Sequence, residues 1–393
     1  MYLAERMASF GNETAFEYYA RAAAMAATGR KVINFGIGEP DFATAPNVVA
    51  AAKRALDDGH THYSPTEGLA ELRLAIAEDS TIRRGVPVDP ANVMVTPGAK
   101  VAMYLVFLAL AQPGDEVIYP DPGFPMYRQA ARHAGATPVA LPLREENGFR
   151  LDPDELASLV TSRTRLIVLN SPANPTGGAL TRSDLESIAA VAREHDVMVM
   201  TDEIYSRILY EGEHLSISAL PGMQERTIVV DGFSKAYAMT GWRLGYLLLP
   251  PALTSAFARL VFNSVSNTAT FSQMAAVEAL RGPQDAVTEM VAEFRARRDL
   301  VVAGLNEIPG LDCLMPQGAF YVFPSVKATG LSGAEFTDRL LEIGGVSVLP
   351  GSAFGDAAEH HFRISYACNR ATLEDGLERI RAVALQVMAG VAG

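Results

Sequence analysis

A chain of 393 residues, 49% hydrophobic and 20% charged, has material for a sizeable core and the mix of a soluble globular protein; its length suits two domains, or one large domain with a smaller partner. Its 33 basic and 45 acidic residues give a formal net charge of −12 with no lysine- or arginine-rich block, which argues against a nucleic-acid footprint or an anionic-membrane patch. Two cysteines, Cys313 and Cys368, stand outside any CxxC motif, so no zinc or disulfide framework is expected, and this usage suits a reducing cytoplasm.

The first ten residues carry no long apolar run, and no signal peptide is expected there. The stretch 15–28 is apolar but interrupted by Glu17 and Arg21. It is too short and too charged to span a bilayer, and it reads as an amphipathic helix. From about 93 to 249, short β-rich runs alternate with helical patterns, which predicts a parallel sheet. The strands are expected at 93–97, 116–120, 137–143, 165–170, 197–202, 227–232 and 244–249. Several are continuous apolar runs, as in strands covered on both faces. Helices are expected between them at 99–111, 127–133 and 182–195. Beyond 249 the pattern changes to a long helical stretch over 271–305, strand-like segments at 319–324 and 361–367, and a closing helix over 373–387. This predicts an α/β architecture with a mostly parallel central sheet in a large domain, plus a smaller α+β domain. The expected division is 1–40 as an N-terminal segment joining the small domain, 41–285 as the large domain and 286–393 as the small one.

In open α/β sheets, ligands sit outside the carboxyl ends of the strands. The run VMVTP leads into Gly98-Ala99-Lys100 and a helix, which offers free backbone N–H groups and the positive end of a helix dipole to a phosphate. RLIVLN leads into SPANPTGG with Asn174; VMVMT ends at Asp202, with Tyr205 three residues on; TIVVDG leads to Ser234-Lys235, with Arg243 eight residues later. The strand ends thus offer a phosphate cradle, an amide, a carboxylate with a phenol, and an amine with a guanidinium. Pyridoxal 5′-phosphate (PLP) chemistry needs that set: a lysine to form an imine, a carboxylate to keep the pyridine nitrogen protonated, donors for the phenolic oxygen, and an arginine fork for the phosphate.

The blocks GIGEPDF (36–42), YSPTEGLAELR (63–73), SPANPTGG (171–178), TDEIY (201–205), SKAYAMTGWRLGY (234–246) and FRISYA (362–367) together resemble the class I and II aminotransferases of PLP fold type I, in that family's order and spacing. The resemblance runs from about residue 30 to the C-terminus. It implies that Lys235 holds the cofactor as a Schiff base and shuttles the proton, and that Asp202 pairs with the pyridinium nitrogen. It further implies that Tyr205 and Asn174 bond the phenolic oxygen and that Phe124 stacks on the ring. Ala99, Lys100, Ser234 and Arg243 would surround the phosphate, and Tyr63 would reach the phosphate of a neighbouring subunit, which implies a homodimer. Arg363 would bind the substrate α-carboxylate, helped by the Gly38 backbone and Asn174. The implied reaction is ping-pong transfer of an amino group between an amino acid and a 2-oxo acid.

Two departures stand out. Many relatives carry Ser two residues before the SK pair, where this chain has Gly232. The segment GNETAFEYY places Glu13 and Glu17 where aspartate-using relatives keep small hydroxyl-bearing residues over the site. Two carboxylates there would repel an acidic side chain, so aspartate is not expected to be the best donor. Elimination, replacement or carbon–carbon bond formation on the same fold is the alternative reaction class. A PLP-sensing regulator of this fold is a remoter one, opposed by the acidic balance. His133, His195, His360 and His361 show no ligand spacing, so no metal is expected. Tyr18 and Tyr19 read as packing residues.

Overall fold

The computed structural model describes residues 2, 3, 7 and 14–391. A short first strand, β1 (Ile33–Asn34), precedes the main sheet. Seven strands build that sheet: β2 (Val93–Thr96), β3 (Glu116–Asp121), β4 (Thr137–Pro142), β5 (Thr164–Asn170), β6 (Met198–Asp202), β7 (Thr227–Gly232) and β8 (Gly245–Leu248). Their spatial order is β2-β8-β7-β6-β5-β3-β4. The run β7-β6-β5-β3-β4 is parallel throughout. The sheet is mostly parallel, as expected, and the exception is β8, which is antiparallel to both β2 and β7. An apolar run fixes that a strand is buried and leaves its direction open; here the short turn from Lys235 to Leu244 returns the chain against β7.

Alternation along the strands divides the core. Leu166 and Val168 of β5 pack with Ala102 and Val106 of the helix Ala99–Leu110, whereas Ile167 and Leu169 pack with Leu185 and Ile188 of the helix Arg182–Glu194. The latter helix starts on a capping box in which Thr181 and Asp184 bond each other's backbone N–H. Further helices, Pro46–Asp57, Ala70–Arg84 and Thr270–Arg281, cover the β2, β7 and β8 end of the sheet. The expected long helix over 271–305 is two, Thr270–Arg281 and Asp285–Asn306, separated at Gly282-Pro283. Proline lacks the N–H that would continue the ladder, which breaks the helix there.

The C-terminal part carries β9 (Tyr321–Val322), β10 (Val346–Ser347), β11 (Leu349–Pro350) and β12 (Phe362–Ser365). The order β11-β12-β9 forms a small antiparallel sheet. β1 pairs in parallel with β10, through Ile33 with Val346 and Asn34 with Ser347. The helix Thr14–Ala27 docks on the same part: Tyr18 Oη and Arg21 Nη1 donate to Asp338 Oδ1 at 2.9 and 2.7 Å. Among the described residues no helix is long and apolar enough to cross a membrane.

Candidate active site

A cavity of about 500 Å³ opens at the carboxyl ends of β2, β5, β6 and β7, closed from the other side by β9, β11 and β12. Gly38, Ala99, Lys100, Phe124, Asn174, Asp202, Tyr205, Ser234, Lys235, Arg243 and Arg363 all line it. Tyr63 does not; its side chain stands 90% exposed on the surface of the single chain.

Lys235 stands in the turn that follows β7, where the N–H groups of Ala238 and Met239 bond back to the carbonyls of Lys235 and Ser234. Its Nζ donates to the Gly38 carbonyl at 2.5 Å. Burial pushes the amine down to about 8, and the neighbouring Arg363 adds to the depression. Asp202, at the end of β6 and 3% exposed, accepts from Tyr127 Oη at 2.7 Å and from the Ile204 N–H at 3.2 Å. Burial pushes this carboxyl up to about 6 against the hydrogen bond from Tyr127, which favours its charged form. A buried acid in that condition gains from a cationic N–H partner, which a protonated pyridine supplies.

Arg363 on β12 is 5% exposed. Its Nη1 donates to Asn174 Oδ1 at 2.9 Å and its Nη2 to the Gly36 carbonyl at 2.5 Å. Its Nε, also buried, has no hydrogen-bond partner, and no carboxylate among the described residues pairs with the group. The guanidinium instead lies 4.4 Å from the Tyr321 ring centroid and 4.9 Å from that of Phe354. A buried, always-charged fork with no counter-ion among the described residues has a donor set that suits a carboxylate.

The helix Ala99–Leu110 begins at Gly98 with no side-chain cap, so its first N–H groups remain available at the cavity wall. Gly98 has φ +96°, and a Cβ there would lie 2.5 Å from Arg243 Nη2. The missing side chain lets the guanidinium lie against the helix start, a cradle suited to a phosphate dianion. Arg243 itself is held in the left-handed region at φ 54°. Gly232, the departure from the SxSK pattern, has a packing cause: a Cβ there would stand 2.9 Å from Gly245 Cα and 3.0 Å from the Leu244 carbonyl oxygen. The close pairing of β7 with β8 leaves no room for a serine.

Several residues of the cavity wall, and Tyr127 beside it, carry no functional signal in the sequence. Tyr127, fully buried, holds Asp202; Tyr321 Oη lies 2.8 Å from Tyr205 Oη; Asn170 accepts from the Asn174 N–H at 2.8 Å and donates to the Asp202 carbonyl at 3.0 Å. Glu39 accepts from the Thr240 hydroxyl at the cavity edge. Tyr127 and Tyr321 sit in apolar runs that read as core; only their hydroxyls mark them. Lys100 Nζ lies 5.7 Å from the Phe124 ring centroid.

The N-terminal segment corrects two expectations. Glu13 lies outside the described residues. Glu17 is exposed and lines no part of the cavity, so its expected repulsion of an acidic substrate does not arise in this structure. The helix turns Thr14, Phe16 and Tyr19 to the cavity instead, so Tyr19 is a wall residue while Tyr18 packs inward.

The sequence profile of the family "Aminotransferase class I and II" matches residues 30–380. An aspartate aminotransferase of Pyrococcus horikoshii is 42% identical over 96% of each chain, and the aromatic-amino-acid aminotransferase 2 of Thermococcus litoralis is 45% identical over 90% of this chain and 91% of its own. The crystal structure of the aspartate aminotransferase of Rhizobium meliloti superposes with a TM-score of 0.94 at 39% identity, covering 98% of this chain and 99% of that one. The chain belongs to the class I and II aminotransferase family. It is a PLP-dependent aminotransferase of fold type I, exchanging an amino group between an amino acid and a 2-oxo acid.

Proposed function

We propose that transamination runs through Lys235 in the cavity between the strand ends and β12, with PLP held by this chain's own residues. Arg363 carries this reading: a buried guanidinium with no counter-ion among the described residues, facing the same cavity as a depressed lysine and a destabilised carboxylate.

Asp202 would hold the pyridine nitrogen, with Tyr127 fixing the carboxylate. Tyr205 and Asn174 would bond the phenolic oxygen, and Phe124 would cover the ring. Ala99, Lys100, Ser234 and Arg243 would take the phosphate. When bound, PLP supplies an electron sink for negative charge at the substrate Cα and a carbonyl carbon that accepts the amino group. Arg363 binds the α-carboxylate as a fork, with Asn174 and the Gly38 backbone completing the grip, and so orients the Cα–H toward Lys235. Lys235 Nζ, whose burial favours the neutral amine, removes the Cα proton and holds it for return. Phe16, Tyr19 and Phe354 line the cavity and present ring surface around that exchange.

The enzyme works as a cytoplasmic homodimer in this reading. Tyr63, outside its own cavity and exposed, is then free to reach the partner's phosphate; Cys313 and Cys368 are both free thiols, as suits a reducing compartment. The pairing of β1 with β10 supports a division into segment 1–40, large domain 41–285 and small domain 286–393. The test is a panel of amino donors, each mixed singly with the PLP enzyme. Stoichiometric release of the 2-oxo acid, with the amino group retained on the enzyme until an acceptor is added, is the expected result. Release of ammonia instead would replace transamination by elimination.

A further inference from the structure

Behind the cavity, on the far side of the same strand ends, lies a buried ionic cluster that the reaction does not use. Arg84 ends the helix Ala70–Arg84 and its side chain is wholly inaccessible. Its Nε donates to Glu203 Oε2 at 2.8 Å, its Nη2 to Asp231 Oδ2 at 2.7 Å and its Nη1 to Ser80 Oγ at 3.2 Å. Glu203 directly follows Asp202; Asp231 stands four residues before Lys235. One guanidinium therefore ties the strand end bearing the carboxylate to the strand end that launches the amine.

Both anchors are saturated by neighbours on their own strands and on other elements. Glu203 Oε1 accepts from Ser216 Oγ at 2.6 Å and Thr201 Oγ1 at 3.3 Å, and His214 Nε2 lies 3.0 Å from Oε2. Asp231 Oδ2 accepts from Arg83 at 3.0 Å and from Tyr246 Oη at 3.0 Å, while Oδ1 accepts from the Gly232 N–H at 2.7 Å. Buried ion pairs give little stability over apolar packing, because desolvation consumes the attraction; what they do fix is geometry, through short directional bonds. Consecutive residues of a strand face opposite sides. Glu203 stands one residue beyond β6 but continues its pairing, its N–H bonding the Val230 carbonyl at 2.8 Å, so holding Glu203 from behind fixes where Asp202 points in front, and Asp231 does the same for the turn to Lys235.

We propose that Arg84 is a positioning residue for transamination, setting the distance between Asp202 and Lys235 by bridging Glu203 and Asp231. The inference rests on the assignment of Asp202 and Lys235 to the cofactor. Arg84→Lys keeps the charge but replaces a planar fork by a point donor that cannot serve both carboxylates equally. In the PLP-loaded enzyme, its kcat should fall about tenfold or more with KM for the amino donor within about twofold, since small misplacement of reacting groups is costly in rate. Visible circular dichroism of the bound cofactor should change, and the dissociation constant of PLP from the apo-protein should rise. A merely structural bridge would lower the melting temperature and leave kcat per folded enzyme and the visible dichroism at wild-type values; that result overturns the proposal. Glu203→Gln, near-isosteric and still able to accept from Ser216, is the second variant. The same loss of kcat and change of dichroism are expected, and wild-type values there overturn the proposal even where Arg84→Lys does not fold. Lys235→Ala run alongside separates the two failures: wild-type turnover in it removes the cofactor assignment, whereas wild-type behaviour confined to the Arg84 and Glu203 variants removes the positioning role alone.

Discussion

The two sides of the strand ends treat charge in opposite ways. In front, Lys235, Asp202 and Arg363 are buried or half-buried without an ionic partner among the described residues, and burial pushes each toward its neutral form. Behind, Arg84, Glu203, Asp231, Arg83, Asp79 and Arg207 form three guanidinium and three carboxylate groups that satisfy one another. There Glu203 is held well below the usual carboxylate range, with Arg84 and His214 overcoming its burial. Both sides share strands, burial and residue types. What differs is pairing, and the lesson is that unmatched buried charge marks a place built for an absent partner, whereas matched charge marks scaffold.

The comparison breaks first at Lys235. Lys235→Ala should lower the amino-donor half-reaction by at least about a thousandfold, the upper range of what one positioned acid–base group supplies. Single-turnover absorbance would reveal this, and near-normal rates would place the reacting amine elsewhere. Asp202→Asn should cost about a hundredfold or more in the same measurement, as an anion aimed at charge in the transition state is lost. Circular dichroism in the far ultraviolet should stay unchanged, since Tyr127 can still bond the amide.

A pH series sharpens the contrast without mutation. Capture of PLP by the apo-protein needs the neutral amine, whose pKa burial and Arg363 lower to about 8 while Glu39 and Asp202 pull the other way. The capture rate should therefore climb roughly tenfold per pH unit below about 8 and level off above it. A rate still climbing near pH ~10 would mean an amine in ordinary solvent. Arg363→Ala should lower kcat/KM for every amino donor by roughly tenfold to 150-fold, the equivalent of about 1.5–3 kcal/mol for hydrogen bonds to a charged group. Equal affinity for all donors would put the α-carboxylate elsewhere. The smallest effect belongs to Tyr63→Phe. It should loosen PLP by about 1–2 kcal/mol without dissociating the dimer, as one hydrogen bond to a charged group is removed. Equilibrium sedimentation with PLP titration reads both quantities, and an active wild-type monomer would end the shared-site reading.

Most of the cavity wall was legible because its residues follow strands whose apolar runs are self-announcing. Asp202 ends VMVMTD and Lys235 follows TIVVDG, so a rule about strand ends reaches both without any contact information. The strand direction of 245–248 was not legible, because burial on two faces looks alike in either direction. The helix break at Gly282-Pro283 did carry a local signal, outweighed by the apolar periodicity on either side. Tyr127 and Tyr321 escaped because an aromatic in an apolar run packs by its ring, and its hydroxyl partner is set by tertiary structure. The cluster behind the site was invisible for a related reason: Arg84 finds Glu203 at a separation of 119 residues and Asp231 at 147, with no spacing rule to connect them.

The bond from Arg363 to the Gly36 carbonyl spans 327 residues of chain. A ribosome adding about 5–20 residues per second takes roughly 16 to 65 s to cover that separation. Late in this interval, once β8 has emerged, the seven strands can assemble while the bond from Arg363 to Gly36 does not yet exist. β1 likewise waits for β10 before its backbone is paired. On the proposed assignment, a nascent chain halted after β8 would carry Asp202 and Lys235 without Arg363 to orient a substrate between them, and translation itself would withhold activity until β12 has left the exit tunnel.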